Sequence, residues 1–128
     1  MVEELKELLN NAYAPISNFS VSAIVVTKDG RKFKGVNVED ASLRAGTCAE
    51  RNAIYNAITN GVKKGEYASI NVMVCNGKIG TPCFVCRQML HEVCDDDTLI
   101  RCYATTGEYK DFTVKELCPH PFGEDDLK

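Results

Sequence analysis

Cys48-Ala49-Glu50 stands where the small-residue turn Gly46-Thr47 runs into the helical pattern of "GTCAERNAIYNAI", residues 46 to 58. Farther along, "TPCFVCRQML" sets Cys83 and Cys86 three apart at the start of a second helical pattern, just after Pro82. On its own a C-x-x-C pair leaves a redox dithiol, a zinc knuckle and coincidence open. Adding Cys48 sharpens the signal, because it too begins a helix that follows a β segment and faces the same end of the sheet. Two helix N-termini then present three sulfurs to one point. Three thiolates hold Zn²⁺ tetrahedrally with one position left for water, the arrangement of a catalytic site; a structural site wants a fourth ligand.

Glu50 is too near Cys48 along the chain to complete that coordination easily, but it is well placed to reach a metal-activated water and carry its proton. The plainer reading is a first-turn glutamate that favours the helix dipole. Three thiolates more than cancel the charge of the metal, so something must draw charge from sulfur. Helix N-terminal amides can do so, and Arg51 and Arg87, each directly following a cysteine motif, are candidates to add positive charge. His91 and His120 lack ligand spacing and read as surface or core histidines, while Cys75, Cys94, Cys102 and Cys118 read as small buried hydrophobes.

The elements that must position these groups follow from pattern. Residues 2 to 13 carry Val2, Leu5, Leu8, Leu9 and Ala12 at helical spacing, with Pro15 soon after. "SVSAIVVTKDGRKFKGVNV" gives two β-rich runs about Asp29-Gly30, a hairpin signal. Residues 48 to 60 form a helix with Ala49, Ala53, Ile54, Ala57 and Ile58 on one side and Gly61 as its stop. "ASINVMVCN" is a buried strand, a helix runs from about Cys83 to Val93, "TLIRCYAT" returns as a strand, and "YKDFTV" and a few helical residues in "VKEL" precede an irregular tail. The expected architecture is a three-layer α/β/α sandwich with a mixed sheet of about five strands, residues 1–128 forming a single domain. Sites in such sheets form where strands give way to helix N-termini, and both cysteine motifs fall there.

Composition narrows the function. A chain of 128 residues, 45% hydrophobic and 26% charged, is ordinary for one globular unit. A net charge of -3 without a basic run disfavours nucleic acid and anionic lipid as partners. The apolar stretches are too short to span a bilayer and the amphipathic start has no signal-peptide core, so a cytoplasmic protein with mostly reduced thiols is expected.

Cys48-Ala49-Glu50 and Pro82-Cys83-Phe84-Val85-Cys86 resemble the zinc-dependent cytidine deaminase family, specifically its small homotetrameric branch, whose superfamily signature is H-x-E then P-C-x-x-C with Cys₃ as the alternative ligand set. "YAPISNFSVSA" is similar to that family's N-terminal substrate segment, "GVNVEDA" to its ribose-binding strand and "ELCPHPFGEDDL" to its C-terminus. The resemblance implies zinc held by Cys48, Cys83 and Cys86, with Glu50 shuttling protons while activated water attacks C4 of cytidine or deoxycytidine. It implies that the Ala49 amide donates to the ring O2, Asn37 and Glu39 bind the ribose 3'-hydroxyl, Phe19 packs near the base, and Arg51 hydrogen-bonds ligand sulfur. It also implies a homotetramer in which Phe122 of a neighbouring subunit covers the base, and a role in pyrimidine salvage. On spacing alone, Asn37 and Glu39 are two same-face residues of a strand and the two phenylalanines are core residues.

Three positions depart from the pattern. Leu43 replaces a tyrosine, Phe84-Val85 a small pair, and Ser22 a glycine, which bears on base and sugar preference rather than on the metal chemistry. A deaminase of another aminopyrimidine nucleoside such as blasticidin S is the nearest rival, and Glu39 speaks against it. A noncatalytic zinc domain is the rival from another class and has no use for Glu50.

Overall fold

An interior strand of the sheet is β1, Val21–Thr27, an apolar run whose alternate side chains are buried on opposite faces. Ala23 and Val25 join the larger core, and Ile24 joins the smaller one behind it. In the computed structural model, which describes all 128 residues, β1 pairs antiparallel with β2, Lys32–Val36, through a hairpin whose Gly30 has φ +89°. Glycine adopts that left-handed conformation without steric cost. On its other side β1 pairs antiparallel with β3, Tyr67–Val74. Parallel to β3 runs β4, Leu99–Tyr103, and β5, Tyr109–Thr113, closes the order β2-β1-β3-β4-β5 as an antiparallel edge.

Helices cover both faces and make the expected three layers. Leu5 of α1, Val2–Leu9, packs on Ile24, Met73 and Tyr103. On the opposite face lie α2 (Ala49–Thr59), α3 (Phe84–Val93) and the short α4 (Val114–Leu117), burying Ala53, Ile54, Leu90 and Val114 against Val25, Ile70, Val72 and Ile100. As the parallel pairing requires, α3 is the crossover from β3 to β4. The seat of α2 on β2 is tight: a Cβ on Gly35 would run into the backbone of Ala49 and Ala53. Ser22, where the resemblance expects glycine, is fully buried with its hydroxyl donating to the Leu5 carbonyl at 2.8 Å, so this serine ties α1 to the sheet.

Several expectations need correcting. The first helix stops at Leu9 rather than continuing to residue 13, because Tyr13 pairs with the loop after β2, donating its N–H to the Asn37 carbonyl and accepting from Glu39 N–H. Asn10 and Asn11 offer little helix propensity to resist that pull. Ile58 is 43% exposed instead of lying with the buried side of α2. Cys94 and Cys102 are buried as expected, and burial pushes both thiols up to about 12, but Cys75 is exposed and Cys118 only half-buried. The tail is not wholly irregular, since residues Glu124–Leu127 form a 3₁₀ turn. All seven cysteines are free thiols, and no helix is long and apolar enough to cross a membrane.

Candidate active site

Cys48 and Cys83 are the N-cap residues of α2 and α3, each in extended conformation (φ -69°, ψ 156° and φ -65°, ψ 164°). Cys86 occupies the third position of α3, and its backbone N–H donates to Cys83 Sγ at 3.5 Å. All three sulfurs lie within 4.8 Å of one another, with Cys48 and Cys83 Sγ 3.7 Å apart. Sulfurs bound about 2.3 Å from a tetrahedral zinc stand about 3.8 Å from each other, the spacing that the Cys48–Cys83 pair already has.

The electrostatics agree with the spacing. A hydrogen bond from the Cys86 thiol, reinforced by the Arg51 guanidinium, pulls Cys48 down to about 5, while giving that bond and being buried pushes Cys86 upward. Burial opposes the charge on Arg51, but hydrogen bonds to Cys48 and Cys86 keep it cationic, with Nη2 3.4 Å from Cys48 Sγ. Arg51 Nε is buried with no partner, a donor in excess beside the sulfurs. Donors crowded around thiols suit thiolates, the form that binds metal.

Glu50 is the second residue of α2 and 4% exposed. Burial pushes its carboxyl up to about 7; its own backbone N–H acts against that and charge on Cys48 adds to it. It lines an open cleft of about 460 Å³ together with Cys48 and Cys83. Phe19, Asn37, Glu39 and Ala49 line the same cleft, so the structure gathers these sequence-derived candidates around Glu50. Ala49 opens α2, so its N–H has no acceptor within the helix. Asn37 and Glu39 lie just past the end of β2, in the strip where Val38 bridges to Tyr13 and Thr47.

Other residues singled out in the sequence lie elsewhere. The Arg87 guanidinium makes no hydrogen bond to sulfur: it donates to the carbonyls of Pro82 (2.8 Å) and Leu117 (3.1 Å) and to Thr81 Oγ1 (3.0 Å), so it braces the segment leading into Cys83. Phe122 is 55% exposed and lies not at its own chain's cleft but in a separate groove with Phe84, its carbonyl accepting from Gln88 Nε2 at 2.7 Å. Phe84, 76% exposed, stacks on Arg87 (4.4 Å) and does not line the cleft. Leu43, 74% exposed with φ +63°, borders a smaller hollow beside Glu39 and Arg51. His91 and His120 stay outside the three-sulfur group. Sequence reasoning missed Ser17 and Thr81, both at the cleft; a single hydroxyl in an aperiodic loop carries no pattern to find.

An α/β sheet whose two helix N-termini gather three thiols, with a buried carboxyl in the same cleft, defines a protein built to hold a metal ion beside an acid-base group. Residues 1–102 match the sequence model of the cytidine and deoxycytidylate deaminase zinc-binding region. The chain belongs to that family, and zinc is the metal that the three cysteines are positioned to bind. It is 33% identical over 127 residues to the cytidine deaminase of Halalkalibacterium halodurans, covering 99% of this chain and 95% of that one. With the cytidine deaminase of Mycoplasma genitalium it shares 34% over 122 residues, 95% of this chain and 92% of the relative. Its fold superposes on the crystal structure of cytidine deaminase from Burkholderia pseudomallei with TM-score 0.89, at 36% identity, covering 94% and 95% of the two chains.

Proposed function

We propose that this chain hydrolyses cytidine and deoxycytidine to uridine and deoxyuridine, with Cys48, Cys83 and Cys86 as zinc ligands and Glu50 as the proton carrier. Bound zinc supplies Lewis-acid activation of water at neutral pH. Water adds at C4 and ammonia leaves. In this reading the Glu50 carboxylate takes the first proton of the water and delivers it to N3, then takes the second from the hydroxyl now on C4 and passes it to the exocyclic amino group, which leaves as ammonia. The Ala49 N–H, unspent in α2, donates to the ring O2, and Phe19 packs beside the base. Asn37 and Glu39 take the sugar: each retains hydrogen-bonding capacity beyond the contacts it makes within the chain.

The observation that carries the reading is the buried Glu50 carboxyl in one cleft with the cysteine sulfurs. Glu50→Gln tests it, because the amide keeps the shape and removes the proton-carrying function. The variant should retain one zinc per chain by atomic absorption and lose roughly 10³-fold or more in turnover, the scale of a general acid-base group. A near-normal rate overturns the assignment.

The same reading extends to the assembly. Phe122 sits exposed and away from its own Glu50, as a residue that completes the cleft of a neighbouring copy would. A homotetramer with mutually completed clefts, acting as one 128-residue unit in cytoplasmic pyrimidine salvage, is the assembly proposed here. Neither nucleic acid nor membrane is a partner in this reading: the net charge of -3 offers no attraction to either.

A further inference from the structure

The two side chains assigned to the sugar are largely committed to the protein itself. Glu39 Oε1 accepts from the backbone N–H groups of Ile16 (3.0 Å) and Ser17 (2.9 Å), and Oε2 accepts from the Ser17 hydroxyl (2.5 Å). Asn37 Oδ1 accepts from Val21 N–H, and Asn37 Nδ2 donates to the Phe19 carbonyl, both at 2.8 Å. A carboxylate offers about four lone-pair sites and a carboxamide nitrogen two hydrogens. Glu39 therefore keeps one acceptor, and Asn37 one donor on Nδ2 beside one lone pair on Oδ1; the Glu39 acceptor and the Asn37 donor are the complement of a single hydroxyl group.

Ser17 holds this arrangement together. Its oxygen donates to Glu39 and accepts from Phe19 N–H at 3.0 Å, across Asn18, which adopts φ +57°. Asparagine tolerates that left-handed backbone better than most residues. Phe19 is thus fixed at its N–H by Ser17 and at its carbonyl by Asn37, and the Ser17 hydroxyl is the one side-chain group touching both Glu39 and the Phe19 backbone. That bond is also the foremost reason the Glu39 carboxyl is held below the usual carboxylate range, which keeps it an acceptor.

We infer that Ser17 is a positioning residue for sugar specificity: its hydroxyl orients the Glu39 carboxylate toward the nucleoside 3'-hydroxyl, while Asn37 continues to hold Phe19 through its carbonyl. The inference rests on the reading of Asn37 and Glu39 as the sugar-binding pair. Without the Ser17 hydroxyl, Oε2 loses its only protein donor, and the carboxylate is held through Oε1 alone by the Ile16 and Ser17 N–H groups, so the direction of Oε2 is less sharply set. Nucleosides that use the 3'-hydroxyl then lose affinity, whereas those lacking it have nothing there to lose.

The test compares Ser17→Ala, Ser17→Thr and Glu39→Gln in the zinc-loaded protein, measuring kcat and KM for deoxycytidine and for 2',3'-dideoxycytidine. Ser17→Ala should lower kcat/KM for deoxycytidine about 10-fold, mainly through KM, the size of one hydrogen bond to a charged group. Turnover of the dideoxy analogue should stay within about 2-fold, and Ser17→Thr, which keeps the hydroxyl, should preserve the preference between the two. A Ser17→Ala loss equal for both substrates, or no loss, overturns the inference. If Glu39→Gln reduces the preference and Ser17→Ala does not, Ser17 alone is wrongly assigned. If Glu39→Gln leaves the preference intact, the sugar-site reading fails and the Ser17 inference falls with it.

Discussion

Arg51 sits where residue chemistry and metal retention meet, with one guanidinium nitrogen on Cys48 Sγ and its Nε unpaired beside the sulfurs. Thiolates that lose a hydrogen-bonded cation carry more charge and are more readily protonated, so Arg51→Gln should release zinc faster. Groups that support metal ligands in this way are worth about 10- to 100-fold in affinity. Chelator competition with a colorimetric indicator should show at least about 10-fold faster loss, and an unchanged rate would remove Arg51 from the site. Cys48, Cys83, Cys86, Glu50 and Arg51 were legible because each lies within the first turn or so of a helix, where position along the chain translates directly into position in space. The Ser17–Glu39 contact was not, since it joins residues 22 apart through a loop without periodicity. Arg87 shows the converse: adjacency to a motif suggested contact with sulfur, but the carbonyls of Pro82 and Leu117 capture the guanidinium first.

At the level of elements, the metal position depends on how closely α2 lies against β2. Gly35 has backbone, not flexible side-chain tips, in the space a methyl group would need, so Gly35→Ala must push α2 away and carry Cys48 with it. Overpacking of this kind costs about 1–3 kcal/mol. Denaturant unfolding should show that loss in the midpoint with little change in slope, together with weaker zinc binding; full stability and full affinity would mean that the helix can slide at no cost. Most elements were readable, since β1, β3 and α2 have strong periodicity and clear stops at Gly30 and Gly61. The end of α1 was not, because its hydrophobic spacing runs on to Ala12 while tertiary pairing of Tyr13 with Asn37 and Glu39 withdraws the chain from the helix. The 3₁₀ turn at Glu124–Leu127 has no apolar period to reveal it; an Asp126 carboxylate accepting from Gly123 N–H makes it.

For the whole molecule, the exposed Phe84 and Phe122 set the question of assembly. If Phe122 serves a neighbouring cleft, Phe122→Ala and Glu50→Gln disable different copies. Each variant alone should be inactive or nearly so, and refolding them together should restore activity, because some clefts then combine an intact Glu50 with a neighbour's intact Phe122. Activity no greater than the sum of the separate variants would show that each chain completes its own cleft. Within one chain, the three sulfurs have a further consequence. Cys48 and Cys83 lie 35 residues apart in sequence, and the segment between them contains all of α2 and all of β3. An ion held by both acts as a reversible cross-link across that span, lowering the loop-closure entropy that the folding chain must otherwise lose. Its stabilising effect grows with the free metal concentration, so the mechanical union of α2 with α3 becomes a function of zinc supply.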